Sequence, residues 1–297
     1  MRVLHVSDSH LGIASYFRGQ PSGWSRADDH AAALGAALDP VERGEVDLVV
    51  HTGDLFDRSR PPLPAVDTAR RLLARAAGRV PTLVMHGNHD WRGVGELLRG
   101  MPGDVHLVDA PMRLVIRGLR IAAIPFCRDA RDWASAAGRL CEEPTDVILA
   151  HQGFEGSRVP GYTFHPRAHA DVVPLAAIPA GVPTILTGHI HTRQELVAGP
   201  TRVLHVGSTE RTAFVERNEP KGGLRWDAST GRVDWHTGAT RRMVVVRSPA
   251  DFELIQPADL VTVAKALQTD EAEREVLGRG GWLQPWRKPS MQQGLFE

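Results

Sequence analysis

Short apolar runs bounded by turn residues recur along the chain. They are Val3 to Val6, Val46 to Val50, Val80 to Met85, Leu119 to Ile124, Asp146 to Ala150 and Pro183 to Leu186. Runs of this length with no alternating polar face predict strands covered on both sides. Between the first three, apolar residues return at helical spacing over Asp28 to Glu42 and over Pro64 to Ala77. The resulting βαβαβ order predicts an α/β fold around a largely buried sheet.

The texture changes after Leu186. Glu195 to Ala198, Arg202 to Val206, Gly223 to Trp226, Val233 to His236 and Met243 to Arg247 read as short strands. Turns at Ala198-Gly-Pro200 and Ser229-Thr-Gly231 predict antiparallel hairpins that close a second sheet. From Ser248 the pattern weakens, and Pro257 to Leu277 predicts one helix before the Gly278-Arg-Gly-Gly281 break. The expected division is a main domain over residues 1–247, a short extension over 248–284 and a flexible tail over 285–297.

Composition narrows the class. A chain of 297 residues with 42% hydrophobic content can build one large core and an appendage, which excludes wholesale disorder. Lys+Arg and Asp+Glu are both 35, which argues against coating nucleic acid through bulk charge but leaves room for a local phosphate-binding groove. Two cysteines, Cys127 and Cys141, offer neither a disulfide framework nor a paired zinc motif. The chain starts on a strand pattern and no run approaches the ~18 apolar residues of a membrane span, so the cytoplasm is the expected compartment.

The chemistry sits just past the strand ends. Asp8-Ser-His10, His51-Thr-Gly-Asp54 with Asp57, His86-Gly-Asn88-His89-Asp90, His151-Gln-Gly153 and Gly188-His189-Ile-His191 each follow a predicted strand. In an open α/β sheet those ends line the ligand crevice. Carboxylate, amide oxygen and imidazole together suit Mn²⁺, Fe²⁺ or Zn²⁺, with Mn²⁺ preferred here, whereas Mg²⁺ or Ca²⁺ would favour oxygen alone. Asp8, His10, Asp54, Asn88, His151, His189 and His191 are too many ligands for one tetrahedral ion and fit two divalent cations sharing a carboxylate. Such a pair, ~3.5–4 Å apart, would lower the pKa of a shared water and neutralise charge during in-line attack on phosphorus. Gly53, Gly87 and Gly188 each precede a ligand and let the backbone approach it closely.

At these residues the chain resembles the calcineurin-like metallophosphoesterase superfamily, from Arg2 to about Arg247. The resemblance implies a four-layer α/β/β/α sandwich of two packed mixed sheets. It also implies Asp8, His10, Asp54 and His191 around one cation, and Asp54, Asn88, His151 and His189 around the other. His89 would protonate the leaving oxygen or stabilise the transition state, oriented by Asp90. His51, His86 and Asp57 are expected behind the ligands. Asp8-Ser-His-Leu-Gly12, Gly53-Asp-Leu-Phe-Asp-Arg-Ser-Arg-Pro-Pro62, Gly207-Ser-Thr-Glu-Arg211 and Glu219-Pro-Lys-Gly222 are similar to the SbcD-type DNA repair exonucleases. DNA is then the implied substrate. Those exonucleases carry a longer C-terminal part that binds a coiled-coil ATPase. About fifty residues follow Arg247 here, so an SbcC-type ATPase is a weaker expectation than DNA.

Several smaller signals remain. The ending Met291-Gln-Gln-Gly-Leu-Phe-Glu297 is similar to short peptides that dock on bacterial sliding clamps, with Gln292, Leu295 and Phe296 as the contacts. His5 is expected in the core. Arg158, His165, Arg167 and His169 follow His151 in a loop that could touch substrate, and Trp226 and Trp235 read as core rather than stacking platforms. The rivals to a DNA phosphodiesterase are an esterase for a small nucleotide, cyclic nucleotide or phosphoprotein, and a scaffold without catalysis. Retention of all seven ligands and His89 argues against the scaffold.

Overall fold

The computed structural model describes residues 1–90, 93–160, 162–164, 169–238 and 240–285. His165, Arg167, Trp286 and the expected clamp contacts Gln292, Leu295 and Phe296 lie outside the described residues. The chain divides into two compact units: Met1–Ile13 with Ala27–Thr240, and Ala14–Arg26 with the segment beginning at Arg241.

In the larger unit the chain opens with β1 (Arg2–Val6), α1 (Arg26–Ala37, of which Ala27 onward belongs here), α2 (Asp39–Glu42) and β2 (Leu48–Thr52). It continues with α3 (Leu63–Ala77), β3 (Thr82–Met85), α4 (Val94–Leu98) and β4 (Val105–Val108). Next come β5 (Met112–Ile116), β6 (Leu119–Ile124), α5 (Ala130–Leu140), β7 (Val147–Ala150) and the small hairpin β8 (Arg158–Val159) and β9 (Tyr162–Thr163). The rest is β10 (Thr184–Thr187), β11 (Gln194–Ala198), β12 (Thr201–His205), β13 (Gly222–Asp227) and β14 (Val233–Thr237). The helix expected over Asp28 to Glu42 breaks at Leu38, because Pro40 has no N–H to continue the ladder.

The strands form two six-stranded sheets, ordered β14-β13-β1-β2-β3-β4 and β11-β12-β10-β7-β6-β5. In each, four neighbouring strands run parallel and the others antiparallel, so both sheets are mixed. Side chains alternate across each strand and sort into three apolar layers. Leu4, Val49 and Val84 face Leu34, Leu73 and Val94 of the helices. Val3, Leu48, Val50, Leu83 and Met85 meet Ile121, Ala123, Leu149, Leu186 and Leu204 between the sheets. Ile148, Ile185 and Val203 face Trp133, Ala136 and Ala137 of α5. The architecture is α/β/β/α, as the resemblance implied. Trp226 is buried between the sheets with Trp235 packed beside it.

The later strands distribute differently from the expectation. The hairpin β11–β12 does join the second sheet, but β13–β14 joins the first through pairing of Val3 with Trp226. Apolar alternation marks a strand and carries no information on its partner.

The smaller unit holds β15 (Met243–Val246), β16 (Leu260–Val263), α6 (Asp270–Gly278) and β17 (Trp282–Leu283), with the strands parallel in that order. The expected helix over Pro257 to Leu277 is therefore a strand followed by a short helix. The β-branched run Leu260-Val-Thr-Val263 suits the central strand position. α6 begins only where the Thr269 side chain accepts from Ala272 N and three acidic residues fill its first turn. Val246, Val261, Val276 and Leu283 form this unit's core. Among the described residues no helix is long and apolar enough to cross a membrane.

Candidate metal centre

Five loops that leave strand ends in the larger unit converge. Asp8 and His10 follow β1, Asp54 follows β2 and Asn88 follows β3; His151 follows β7, and His189 and His191 follow β10. Each sheet supplies part of the set. The Asp54 Oδ2 atom lies 3.9 Å from His10 Nε2 and 3.4 Å from His151 Nε2, so one oxygen faces both halves. On one side His10 Nε2 and His191 Nε2 stand 3.1 Å apart, and His191 Nε2 is 3.9 Å from Asp8 Oδ1. On the other side Asn88 Oδ1 is 3.1 Å from His151 Nε2 and 2.9 Å from His189 Nδ1.

These groups offer the donor types that divalent cations take. The carboxylate oxygens and ring nitrogens of Asp8, His10 and His191 lie within 4.8 Å of one another, and so do those of Asp8, Asp54 and His151. Two facing imidazole nitrogens and two buried carboxylates in so small a space call for positive charge between them.

The backbone is bent to aim them. Asp8, His10, Asp54 and His189 have φ of 52°, 46°, 51° and 74°, a region that non-glycine residues seldom occupy. Only Arg117 and Ala258 share this among the other described non-glycine residues. Concentration of costly backbone at one cluster marks a site where geometry is held for function. Backbone N–H groups then fix the carboxylates: His89 N donates to Asp54 Oδ1 at 2.8 Å and His189 N to Asp8 at 3.1 Å. A Cβ on Gly87 would sit 2.1 Å from Asp54 Oδ1, and one on Gly188 would sit 2.0 Å from Ser7 Oγ. Both glycines are required by close approach.

The charges are coupled. Burial pushes the Asp54 carboxyl up, but the neighbouring His151 imidazolium and its hydrogen bond outweigh this and hold it well below the carboxylate range. Burial pushes His151 down, and Asp54 and Asp8 reverse this, raising it to about 9. Burial raises Asp8 against the pull of His151 and His191, and it drives His10 far below the usual imidazole range. Cations entering the site would compete with protons for these groups.

A family model described as calcineurin-like phosphoesterase matches residues 1–193. The chain belongs to the calcineurin-like phosphoesterase family. Similar curated relatives include the DNA double-strand break repair protein Mre11 of Halobacterium salinarum, 30% identical over 234 residues, which are 74% of this chain and 54% of that protein. The Mre11 protein of Saccharolobus solfataricus is 25% identical over 218 residues, covering 70% and 54%. A component of the SbcCD nuclease of Escherichia coli is 26% identical over 237 residues, covering 74% and 53%. The chain spans about half the length of these relatives. A crystal structure from Thermus thermophilus has a TM-score of 0.52 at 13% identity, covering 80% of this chain and 98% of its own, which shows a shared fold.

Behind these candidate ligands lies a layer of fixed partners. The Nδ1–H of His151 donates to the Thr52 carbonyl at 2.7 Å, which leaves Nε2 for the site. His51 Nε2 holds Ser9 Oγ at 2.9 Å within the Asp8–His10 turn, and His86 contacts the Gly87 and Asp109 carbonyls at 3.3 Å. Asp57 Oδ1 is 3.8 Å from His10 Nδ1, too far for a hydrogen bond. His5 is fully buried against Thr52 Oγ1.

Asp90 differs from the expectation. Its Oδ2 accepts from Leu55 N at 2.6 Å and Phe56 N at 3.2 Å, and its Oδ1 from Gly87 N at 2.6 Å. It staples the Asp54 loop to the Asn88 loop rather than orienting His89. Burial, and then the charge of Asp54, push its carboxyl up to about 7. His89 is oriented by the Asp57 carbonyl, 2.9 Å from Nδ1, and its ring stands edge-on to His10 at 4.8 Å.

Four supporting residues carry little or no mark in the sequence. Glu216 Oε1 accepts from His191 Nδ1 at 2.9 Å, and Lys221 and Thr212 bind that same carboxylate. Asp171 Oδ2 is 3.6 Å from His189 Nε2. Lys221 lies in the Glu219-Pro-Lys-Gly222 segment used for the resemblance, and a lysine at the start of a buried strand is the available signal. Glu216 ends a short 3₁₀ turn (Phe214–Glu216) and Asp171 sits in a turn, with no pattern to mark either.

Proposed function

We propose that this chain is a two-cation phosphodiesterase that hydrolyses DNA. The observation that carries the reading is the position of Asp54 Oδ2, which faces ligand nitrogens of both sets at once. Asp8, His10, Asp54 and His191 would hold one divalent cation, and Asp54, Asn88, His151 and His189 the other. When bound, such a pair supplies an acidified water and stabilises negative charge on the phosphoryl oxygens. Manganese is the proposed metal because the donor set mixes imidazole, amide and carboxylate.

The chain's own residues then do three things. Asp54 and Asp8, locked by the His89 and His189 amides, keep the site's negative charge in place. His89 commits its Nδ1–H to the Asp57 carbonyl, so Nε2 is the nitrogen left to serve the departing oxygen, to which the doubly protonated ring would give its Nε2 proton. Asp90 sets the spacing of the Asp54 and Asn88 loops. DNA as substrate is supported by the relatives named as break-repair proteins and as part of a nuclease. A cytoplasmic location accompanies this reading.

The test offers purified protein and Mn²⁺ four substrates: single-stranded DNA, duplex DNA, a cyclic dinucleotide and an aryl phosphodiester. Manganese-dependent cleavage of DNA, lost in Asp54→Asn, is expected. Cleavage of the last two with both DNAs intact would replace DNA by a small phosphodiester. A second arm adds a coiled-coil ATPase of the SbcC type, since the Escherichia coli relative is named as one component of a larger nuclease. Removing Gln292 to Glu297 and measuring affinity for a purified sliding clamp tests the tail peptide; unchanged affinity rejects it.

A further inference from the structure

Each imidazole of the centre is backed differently. His151 leans on a neutral carbonyl, His189 faces the partly buried Asp171 at 3.6 Å, and His10 Nδ1 has no hydrogen-bond partner among the described residues. His191 alone among the four has the ring nitrogen turned away from the site, Nδ1, hydrogen-bonded to a buried carboxylate, Glu216, at 2.9 Å. That carboxylate is saturated. Oε1 accepts from His191 Nδ1 and from Thr212 Oγ1 at 2.8 Å, and Oε2 accepts from Thr212 N at 3.2 Å and Lys221 Nζ at 2.8 Å.

Lys221 is only 2% exposed, which is rare for an ammonium and requires compensation. Its three N–H donors meet Glu216 Oε2, the His191 carbonyl at 2.9 Å and Ser208 Oγ at 2.8 Å. The ammonium therefore grips His191 twice, through its backbone oxygen and through the acid that holds its ring. Nothing in the hydrolytic mechanism uses these groups directly, and nothing in ordinary packing calls for a buried acid–lysine pair at this place.

We propose that Glu216 and Lys221 are positioning residues that lock His191 with its proton on Nδ1 and its Nε2 lone pair aimed at the cation subsite of Asp8, His10 and Asp54. The consequence is selective. The His191 subsite depends on the pair, and the Asn88–His151–His189 subsite does not. Because Glu216 and Lys221 neutralise one another, removing the acid alone also leaves a buried ammonium beside a site for cations, which adds repulsion to lost aim.

The inference rests on the two-cation reading, and Mn²⁺ titration of the full chain, followed by electron paramagnetic resonance, separates the two. The wild-type chain must bind two Mn²⁺; failure to do so rejects that reading and this one together. Given two sites, Glu216→Gln should weaken one of them by about 10–100-fold and leave the other within about twofold. Adding Lys221→Met to that variant should recover part of the loss, because the unpaired ammonium is gone. Thr212→Val, which removes one hydroxyl hydrogen bond to the Glu216 carboxylate, should weaken the same site by about fivefold and serves if Glu216→Gln does not fold. Two unchanged affinities in the variant that folds, or an equal loss at both sites, would overturn the proposal while leaving the two-cation reading intact.

Discussion

His205 offers a prediction whose size follows from burial alone. It ends β12, is fully buried, and contacts Ser157 Oγ at 2.9 Å through Nε2. Burial pushes its imidazole down from 6.5 to about 3, against a weak opposing hydrogen bond to the Gly188 carbonyl. A lowered folded-state pKa means that the unfolded chain takes up the proton first as pH falls. The stability His205 contributes is therefore complete above 6.5 and is lost as pH falls from 6.5 towards about 3. At pH 5 the unfolded imidazole is 1.5 units below its midpoint, which costs the folded state about 2 kcal/mol relative to pH 7.5. His205→Gln cannot titrate but keeps a polar end for Ser157. Urea unfolding of both proteins in EDTA, at pH 7.5 and at pH 5, gives two stability differences. The wild-type advantage should shrink by about 2 kcal/mol between them. His5 and His51, also pushed down to about 3 chiefly by burial, and Asp90, pushed up, remain in both proteins, so their contributions drop out of the difference apart from the weak repulsion between His5 and His205. Stability curves that run parallel within about 0.5 kcal/mol would show that His205 does not stay neutral in the fold.

Three further substitutions probe the centre. His89→Ala should leave Mn²⁺ binding unchanged and lower turnover by about 10²–10⁴-fold, and full activity would remove His89 from the mechanism. Gly87→Ala places a methyl against Asp54, so activity should fall by about 10²-fold or more in a chain whose circular dichroism is unaltered. Asp90→Asn leaves one oxygen to serve amides that two oxygens now hold, at about 1–3 kcal/mol for each N–H left unpaired; thermal melting of the metal-free protein reads this loss.

The geometry of the centre is legible in the sequence because it is short-range. Asp8, Asp54, Asn88, His151 and His189 each follow a buried strand by one to three residues, so a strand pattern and a polar residue place the ligand together. Pairing partners are not legible. Gly222–Asp227 carries a strand pattern that would serve either sheet, and only packing against β1 decides. Leu260–Val263 has both helical spacing and β-branched content, and its burial between two parallel strands resolves the conflict in favour of the latter. The resemblance implies that Asp90 orients His89, whereas the Asp90 side chain points back into the loops.

The candidate ligands hang from two sheets, three loops from the ends of β1, β2 and β3 and two more from β7 and β10. Cations seated among them would tie one half of the sandwich to the other like a clasp across a book. Every increment of metal affinity is then also resistance to unfolding, by mass action on the closed form. A chelator should act on this molecule as a mild denaturant, and its lifetime in a cell would follow the local supply of the ion.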